Sequence, residues 1–363
     1  MKKIVITLIS GLLFSSLTFA AAEMNSQNWD TVMAQAKQEG HVTFNVWYLQ
    51  SQWRSFVKPF EQQYGIRVSI PEGSADGIMN KLLAESRQEK GKIDVVALSV
   101  GQLPVALGAK SLSRIDGVPG YPHAYHQIQN VDTQGYAVVF WGNQTGLAYD
   151  PQQMGNTPLP QTLKALQRFI DAHPGKFGYN DPNNGGAGDA FIQRVVTLLG
   201  GDFDTTAGQI DPAVVANWQK GWQWFTANKE RITLTASSAD SLTRLNDGEL
   251  MLTPAWEDHL IGLQKTGAIT ARLKFYIPQF GMPSGGNLAA IAANSPHPAA
   301  SRVFLDWLIR ADTQKELNRV FGSTPMYKSV VSDVSPPATA VKFYGRAYSM
   351  QLKKEFVRQV MLP

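Results

Sequence analysis

Short stretches in which apolar residues occupy every second position alternate along this chain with longer stretches in which they recur every three or four positions. The first pattern is typical of strands and the second of amphipathic helices. In the first half, these patterns predict a helix ended by Gly40, a strand over 42–48, a helix over 56–64 with Pro59 in its first turn or at a kink, a strand over 66–70, a helix capped by Ser74 and a buried strand over 93–98.

The second half continues the alternation with longer helices. Two extended runs, 136–141 and 145–150, are separated by three residues. This rhythm predicts an α/β fold in which helices cover both faces of a sheet. The later predicted elements are helices over 161–172, 189–199, 211–228 and 239–247, strands over 249–255 and 271–277, a run over 287–293 that leads to a helix containing Val303 and Trp307, and a helical tail over 338–360.

The N-terminus has the pattern of a secretory signal. Lys2 and Lys3 precede an apolar run over 4–19, and three alanines follow it. This order predicts a signal peptide over residues 1–22, cleaved after Ala20 or Ala22. The alternative is a retained membrane anchor, which needs ~20 apolar residues, whereas serines and a threonine interrupt this run. The chain has no cysteine that a lipid could modify, so we expect an unanchored protein of a Gram-negative periplasm.

Charge and length limit the classes of function and of architecture that the chain can have. The chain has 33 basic and 29 acidic residues, and loss of Lys2 and Lys3 leaves 31 against 29. The basic residues are scattered, so nucleic-acid binding is not expected. More than 340 mature residues are enough for two lobes with separate cores. No segment is typical of a flexible linker, so we expect strands near 140–146 and 278–286 to join the lobes.

The sequence contains few motifs that indicate catalysis. The chain lacks a Gly-x-Ser-x-Gly elbow and a cysteine nucleophile. His123 and His126 form the only close histidine pair, and the sequence offers no obvious third ligand beside them. We therefore predict no enzyme activity, no cofactor and no metal site.

The glycine-rich segment 178–196 contains the most informative local motif. Gly185, Gly186 and Gly188 allow close approach of the backbone, and a helix with free amide groups begins there. Such amides bind the oxygen atoms of ligands. The alternative is an ordinary glycine-rich loop whose helix is capped by Asp189. The Lys-Ser/Thr of a nucleotide-binding loop is missing.

From about residue 40 to 325, the order of segments resembles the periplasmic solute-binding proteins of ABC importers, in the branch that serves polyamines, thiamine and ferric iron. The resemblance lies in the order of short motifs over most of the chain. These motifs are "VTFNVWY" with "FEQQYGIRV", then "GKIDVVALSVGQLPVALGAKSLSRID", "TGLAYDP", "GELMLTPAWEDH" and "NLAAIAANSPHPAASRVFLDWLI".

The resemblance implies a two-lobed type II periplasmic-binding-protein fold, each lobe a mixed sheet flanked by helices, with a ligand cleft between them. The implied first lobe comprises 23–141 and 284–325, and the second comprises 142–283. Residues 326–363 form a C-terminal helical segment that packs on the lobes. The implied function is capture of a small polar solute and its delivery to an inner-membrane permease with its ATPase, by a protein that we expect to be a monomer.

Ligands of open α/β sheets bind beyond the carboxyl ends of the strands. Residues at such ends or at helix starts are the candidate ligand contacts: Trp47, Tyr48, Ser74, Ser99, Trp141, Gly185, Gly186, Asp189, Trp256 and Asp258. Indole faces with carboxylates suit an organic cation, such as a thiamine-like or amine compound. The alternative for each tryptophan is a place in the core, and Asp258 is alternatively a helix cap.

Two departures from the resembled family bear on the ligand. The adjacent late tyrosines of its ferric-iron binders are missing, since Tyr276 and Tyr327 are isolated. Polyamine binders have several cleft carboxylates, and here only Asp189, Glu257 and Asp258 are candidates. A small anion, ferric iron, or a periplasmic hydrolase with the same cleft remain the alternatives.

Overall fold

A computed structural model describes residues 29–129, 131–205, 208–330 and 341–362. The predicted signal peptide and the start of the predicted helical tail lie outside these ranges. The helices are α1 (Trp29–Glu39), α2 (Gln50–Phe56), α3 (Lys58–Tyr64), α4 (Ala75–Glu85), α5 (Leu103–Gly108), α6 (Pro151–Met154), α7 (Leu163–Ala172), α8 (Gly186–Gly200), α9 (Pro212–Asn217), α10 (Gln219–Ala227), α11 (Ser238–Asn246), α12 (Glu257–Lys265), α13 (Pro298–Leu308), α14 (Ala311–Phe321) and α15 (Arg346–Phe356).

The strands form one large mixed sheet and a small hairpin. In the large sheet the order is β2-β1-β3-β11-β6-β9-β7-β8, and β10 pairs with β6. The strands are β1 (His41–Asn45), β2 (Arg67–Ser69), β3 (Val95–Ser99), β4 (Gln127–Ile128), β5 (Val131–Asp132), β6 (Ala137–Tyr149), β7 (Phe177–Asn180), β8 (Ile232–Thr235), β9 (Leu252–Trp256), β10 (Lys274–Tyr276) and β11 (Ser284–Ile291). The predicted α/β class is confirmed.

The two runs predicted around 142–144 are in fact one continuous strand, the 13-residue β6. Gly142 and Asn143 pair with Gly286 and Gly285 of antiparallel β11, so this glycine-rich stretch continues the ladder instead of turning. Gly142 also exchanges backbone hydrogen bonds with Thr324, at 3.1 and 2.8 Å. We call the paired segments 141–145 and 284–287 the crossing.

The buried apolar residues form separate clusters on the two sides of the crossing. Two clusters are built from residues 32–141 and 288–326, and two from residues 147–282 together with part of the C-terminal helix. We refer to these halves as the first and the second lobe, and we propose that the chain passes between them at 141/142 and 283/284. Tyr348, Leu352 and Phe356 of α15 pack into the second lobe.

Two predicted helices are interrupted. The helix expected over 56–64 is preceded by α2 and restarts after Val57, because Pro59 occupies the first turn of α3. The helix expected over 211–228 divides at Trp218 into α9 and α10. The sequence patterns missed β7, β8, α12 and α14. No helix among the described residues is long and apolar enough to cross a membrane.

Candidate functional site

The carboxyl ends of two strands meet at the crossing. Ser99, the last residue of β3, pairs with Asn287, and Asn287 pairs with Trp141. On the other side, Trp256 ends β9 and pairs with Thr145. The sheet therefore collects the last residues of β3 and β9 on the strands that join the lobes, which is where ligands of open α/β sheets bind.

Trp47 and Tyr48 lie in the bend after β1, which ends at Asn45 rather than at the predicted residue 48. Leu49 then adopts a left-handed conformation with φ 54°, which turns the chain into α2. The Tyr48 ring lies 5.2 Å from the rings of both Trp47 and Trp141. Asn287 donates a hydrogen bond to the Tyr48 hydroxyl at 2.9 Å. Tyr48 is thereby fixed at the crossing.

Asp258 lies in the first turn of α12 and is the carboxylate of this site. Trp141 Nε1 donates to its Oδ2 at 2.9 Å, and the backbone amide of His259 donates to its Oδ1 at 2.9 Å. Burial raises the pKa of Asp258 to about 6, although hydrogen bonds from Trp141, His259 and Asn143 oppose the shift. Among the described residues, no lysine or arginine forms an ion pair with Asp258.

The charge of Asp258 also affects the pKa of the Tyr48 phenol. Burial raises its pKa well above the ordinary value, and the negative charge of Asp258 raises it further, while the hydrogen bond from Asn287 lowers it. The Tyr48 hydroxyl therefore stays protonated at neutral pH. Aromatic rings, amides and the carboxylate of Asp258 thus lie together at the crossing.

Trp256 lies between the crossing and the glycine-rich loop. A Cβ atom on Gly285 would lie 2.8 Å from the Trp256 ring, and one on Gly186 would lie 3.0 Å from its Nε1. Phe343, from the segment before α15, stacks on the Trp256 ring with a centroid distance of 5.7 Å and an interplanar angle of 24°. The Trp256 indole can occupy this position because Gly285 and Gly186 have no side chains.

The N-cap residue of α8 is Gly185, which has no side chain to cap the helix, and Asn180 of β7 caps the first turn instead. Gly185, at the N-cap, has φ 151° and accepts a hydrogen bond through its carbonyl from Asn180 at 3.0 Å. Asn180 also accepts from the backbone amide of Gly188 at 2.8 Å. A Cβ atom on Gly188 would lie 1.9 Å from the Asn180 carbonyl oxygen, so only glycine fits there. Close backbone approach is the role predicted for these glycines.

Asp189 contacts the C-terminal helix. Its carboxylate accepts hydrogen bonds from Gln193 at 2.9 Å and from Ser349 at 3.4 Å, and Lys353 Nζ lies at 3.5 Å. Burial raises the pKa of Asp189, and the charge of Lys353 opposes this shift. The sequence suggested a solute contact or a helix cap, whereas the observed partners are residues of α8 and α15.

The two predicted serines have capping roles. Ser74 accepts from the backbone amide of Gly77 at 3.2 Å, as an N-cap of α4 does, and it is exposed. Ser99 forms a capping box with Gln102, whose Oε1 accepts from the Ser99 amide at 2.9 Å. Ser99 remains adjacent to the crossing through its pairing with Asn287.

His123 and His126 do not share a ligand position. His126 stacks on Tyr121 with a centroid distance of 3.9 Å, and His123 stacks on Tyr327 at 5.6 Å. Sequence reasoning missed Asn143 and Asn287 as polar residues of the site, and Phe343 as the partner of Trp256. Only the strand register that pairs Asn287 with both Ser99 and Trp141 identifies these amides.

Known proteins share this architecture. Residues 55–342 match the family model of bacterial extracellular solute-binding proteins. No curated protein sequence matches the chain.

Solved structures of low sequence identity share the two-lobed periplasmic-binding-protein fold. The spermidine/putrescine ABC transporter substrate-binding protein PotD from Streptococcus pneumoniae has a TM-score of 0.68 at 10% identity, over 88% of this chain and 98% of that one. Iron-bound HitA from Pseudomonas aeruginosa has a TM-score of 0.66 at 17% identity, over 87% and 98%. A periplasmic thiamin binding protein has a TM-score of 0.64 at 17% identity, over 88% and 96%.

Since the family model covers most of its length, this chain belongs to the family of bacterial extracellular solute-binding proteins.

Proposed function

We propose that this protein is the periplasmic substrate-binding component of an ABC importer and that its solute is a small organic cation. The observation that carries the proposal is the carboxylate of Asp258, which lies at the crossing among aromatic rings. Family membership and the shared fold support the transport role. The nature of the solute rests on the site alone, because the similar structures name cargoes as different as iron, polyamines and thiamin.

The electrostatics of Asp258 favour a cation. A buried carboxylate is costly unless it is paired, and burial raises the pKa of this one to about 6. Its hydrogen bonds come from the neutral donors Trp141 and His259. A positively charged group of the solute would lower this pKa and stabilise the ionised form. The protein would thus gain most from a ligand that supplies the missing charge.

The aromatic residues favour a cation with organic substituents. The rings of Tyr48, Trp47 and Trp141 are in successive contact, and ring faces attract positive charge and apolar groups. Trp141 is only 2% exposed, so we assign it the role of orienting Asp258 and assign the ring contacts to half-buried Tyr48 and Trp47. Trp256 would form the wall on the side of the second lobe.

Ferric iron is less well supported. The Tyr276 hydroxyl donates to the Pro160 carbonyl at 2.9 Å, and Tyr327 stacks on His123. A second candidate is a solute that carries an anionic group beside its cationic centre. Asn180 accepts from the Gly188 amide in the first turn of α8, and the amide of Gly186, beside Trp256, would meet such a group.

The proposed function includes export and motion. The predicted signal peptide would deliver a monomer to the periplasm, where its two lobes would close on the solute about the crossing. The closed form would then dock on the membrane permease. A binding role, rather than hydrolysis, agrees with the family, and the site contains no arrangement of nucleophile and base among its described residues.

Native mass spectrometry of the untagged protein, purified from the periplasm, tests the proposal. We expect one bound small molecule per chain, and calorimetry should then give saturable binding of thiamine, putrescine or another organic cation. Exclusive binding of a metal-free anion such as fructose 6-phosphate would overturn the choice of a cation. Turnover of any bound solute would support the hydrolase alternative.

A further inference from the structure

Three potential metal ligands from distant parts of the chain come together in the first lobe. Ligand atoms of His41, Asp94 and His297 all lie within 4.8 Å of one another. His41 begins β1, and Asp94 precedes β3. Because Ser99 ends β3 at the crossing, the group lies about 16 Å away from the candidate solute site, at ~3.3 Å per residue. The cluster therefore lies at the amino-terminal ends of β1 and β3, whereas the candidate solute site lies at the carboxyl ends of strands.

We propose that this cluster is a binding site for a divalent first-row transition metal ion with a preference for imidazole nitrogen, for which zinc is the natural probe. The imidazoles of His41 and His297 would be the protein ligands in direct contact with the ion. Asp94 would orient His297 and supply negative charge, and water would complete the coordination sphere. The site is independent of solute binding.

The hydrogen bonds of Asp94 prepare His297 as a ligand. The Asp94 carboxylate accepts from Nδ1 of His297 at 3.0 Å and also from its backbone amide at 3.0 Å. A carboxylate can only accept, so Nδ1 of a neutral His297 carries the proton and Nε2 keeps its lone pair. Metal-binding histidines usually have such a partner on the second ring nitrogen. Ser295 and the Thr43 amide donate to the remaining lone pairs of Asp94, at 2.5 and 2.8 Å.

His41 is held beside this ring. Its Nε2 makes a hydrogen bond with Ser69 Oγ at 2.8 Å, and its ring meets that of His297 edge-on, with a centroid distance of 5.1 Å. When Ser69 accepts this bond, Nδ1 of His41 has the free lone pair. Zinc–nitrogen distances of about 2.0 Å place two ligands of a tetrahedral ion roughly 3.3 Å apart. A side-chain movement that brings one nitrogen of each ring to that separation would complete the pair of protein ligands.

The charges around the cluster are compatible with a cation. Asp94 is buried and lies against the His297 ring at 3.0 Å, where its negative charge would attract a cation. Arg67, the β2 residue paired with His41, has a positive charge that opposes this attraction. Glu39 adds a second carboxylate close to the start of α13, where it accepts from the Ala300 amide at 2.7 Å. Both histidines are partly exposed, which gives an ion access.

Isothermal titration of the untagged mature protein with zinc chloride tests the site. The variants are His41→Gln and His297→Gln, and the matched control is His173→Gln, a histidine of the second lobe at the end of α7. We expect one zinc ion per wild-type chain, unchanged binding in the control, and affinity at least ~10-fold weaker in each cluster variant, since even outer-shell changes cost 10–100-fold. Binding should weaken at acidic pH, where protons compete for the imidazole nitrogens.

Circular dichroism establishes that each variant is folded, and either histidine variant alone suffices if the other is unstable. Absence of stoichiometric zinc binding by the wild type would overturn the proposal. So would binding that survives both cluster substitutions, or an equal loss in the His173 control. Because the assay contains no solute, its outcome is separate from that of the transport proposal.

Discussion

The indole of Trp141, at the crossing, donates its Nε1–H to Oδ2 of Asp258, in the first turn of α12, at 2.9 Å. This bond joins the end of the first-lobe half of β6 to a helix of the second lobe. It also fixes the carboxylate beside Tyr48, whose pKa is raised by the charge of Asp258. Asp258 thus has two roles. It connects the lobes through its hydrogen bond with Trp141, and it is the charged group of the proposed solute site.

We predict that the affinity for a cationic solute depends on pH through Asp258. The solute binds the ionised carboxylate, so affinity should fall as pH decreases through about 6, by up to tenfold per pH unit. Asp258→Asn should weaken binding at pH 7.5 and remove this dependence. Calorimetry between pH 5 and 8 measures both effects. A pH profile that is identical in wild type and variant would contradict the assignment.

Asp258 should also affect the stability of the solute-free protein. Its pKa is raised from 3.8 to about 6, so the folded state retains a proton that the unfolded chain has already lost between these values. Stability from this group is therefore present at low pH and is lost as pH rises from about 4 to 6, by on the order of 3 kcal/mol at 1.36 kcal/mol per pKa unit. Denaturant titrations should give a smaller loss over this range for Asp258→Asn than for wild type.

Trp47→Ala should weaken solute binding more than it destabilises the fold. A cation–ring contact contributes ~0.5–2 kcal/mol, which corresponds to a roughly threefold to thirtyfold loss of affinity. Half-buried Trp224, which packs on the second-lobe core, provides the matched control. Calorimetry and thermal melts of both variants test the assignment. If Trp47→Ala costs the ~3–5 kcal/mol typical of a core tryptophan and leaves the affinity of the folded protein intact, Trp47 is a core residue.

The sequence predicted the alternation of strands and helices because its apolar periodicity is local. It failed at β6, where Gly142 and Asn143 resemble a turn. Their extended conformation depends on pairing with β11, some 140 residues later in the chain. No local pattern encodes that partner.

The candidate site was likewise predictable only where local sequence determines it. Position after a predicted strand placed Tyr48 and Trp256 near the crossing, because strand ends converge there, and their contact with a solute stays a prediction. The orientation of Asp189 was not predictable, since its partners Ser349 and Lys353 belong to α15. The association of His41 with His297 likewise arises only when β1 and α13 pack together.

Gly285→Ala should disturb the crossing and the solute site together. An added Cβ atom would lie 2.5 Å from Oδ1 of Asn143 and 2.8 Å from the Trp256 ring, so these side chains must move. We expect a loss of ~1–3 kcal/mol in stability, as for overpacked cores, and weaker solute binding. Gly101→Ala is the matched control, because no heavy atom lies within 4 Å of its Cβ position. Equal melting temperatures and affinities in the two variants would contradict the close packing at Gly285.

The final prediction concerns the attachment of the C-terminal helix. Asp189 is 6% exposed and meets Lys353 and Ser349 of α15. Asp189→Asn should leave Lys353 without its carboxylate, but water can solvate this lysine, whose side chain is 32% exposed, and the change also removes a buried charge, so we expect the stability to fall by no more than about 1 kcal/mol. Lys353→Met alone and combined with Asp189→Asn completes a double-mutant cycle, in which we expect a coupling of at least ~0.5 kcal/mol. Solute affinity should change less than twofold in all three variants. A loss of cation affinity in Asp189→Asn at unchanged stability would instead place this carboxylate in the solute site, as the sequence alone suggested.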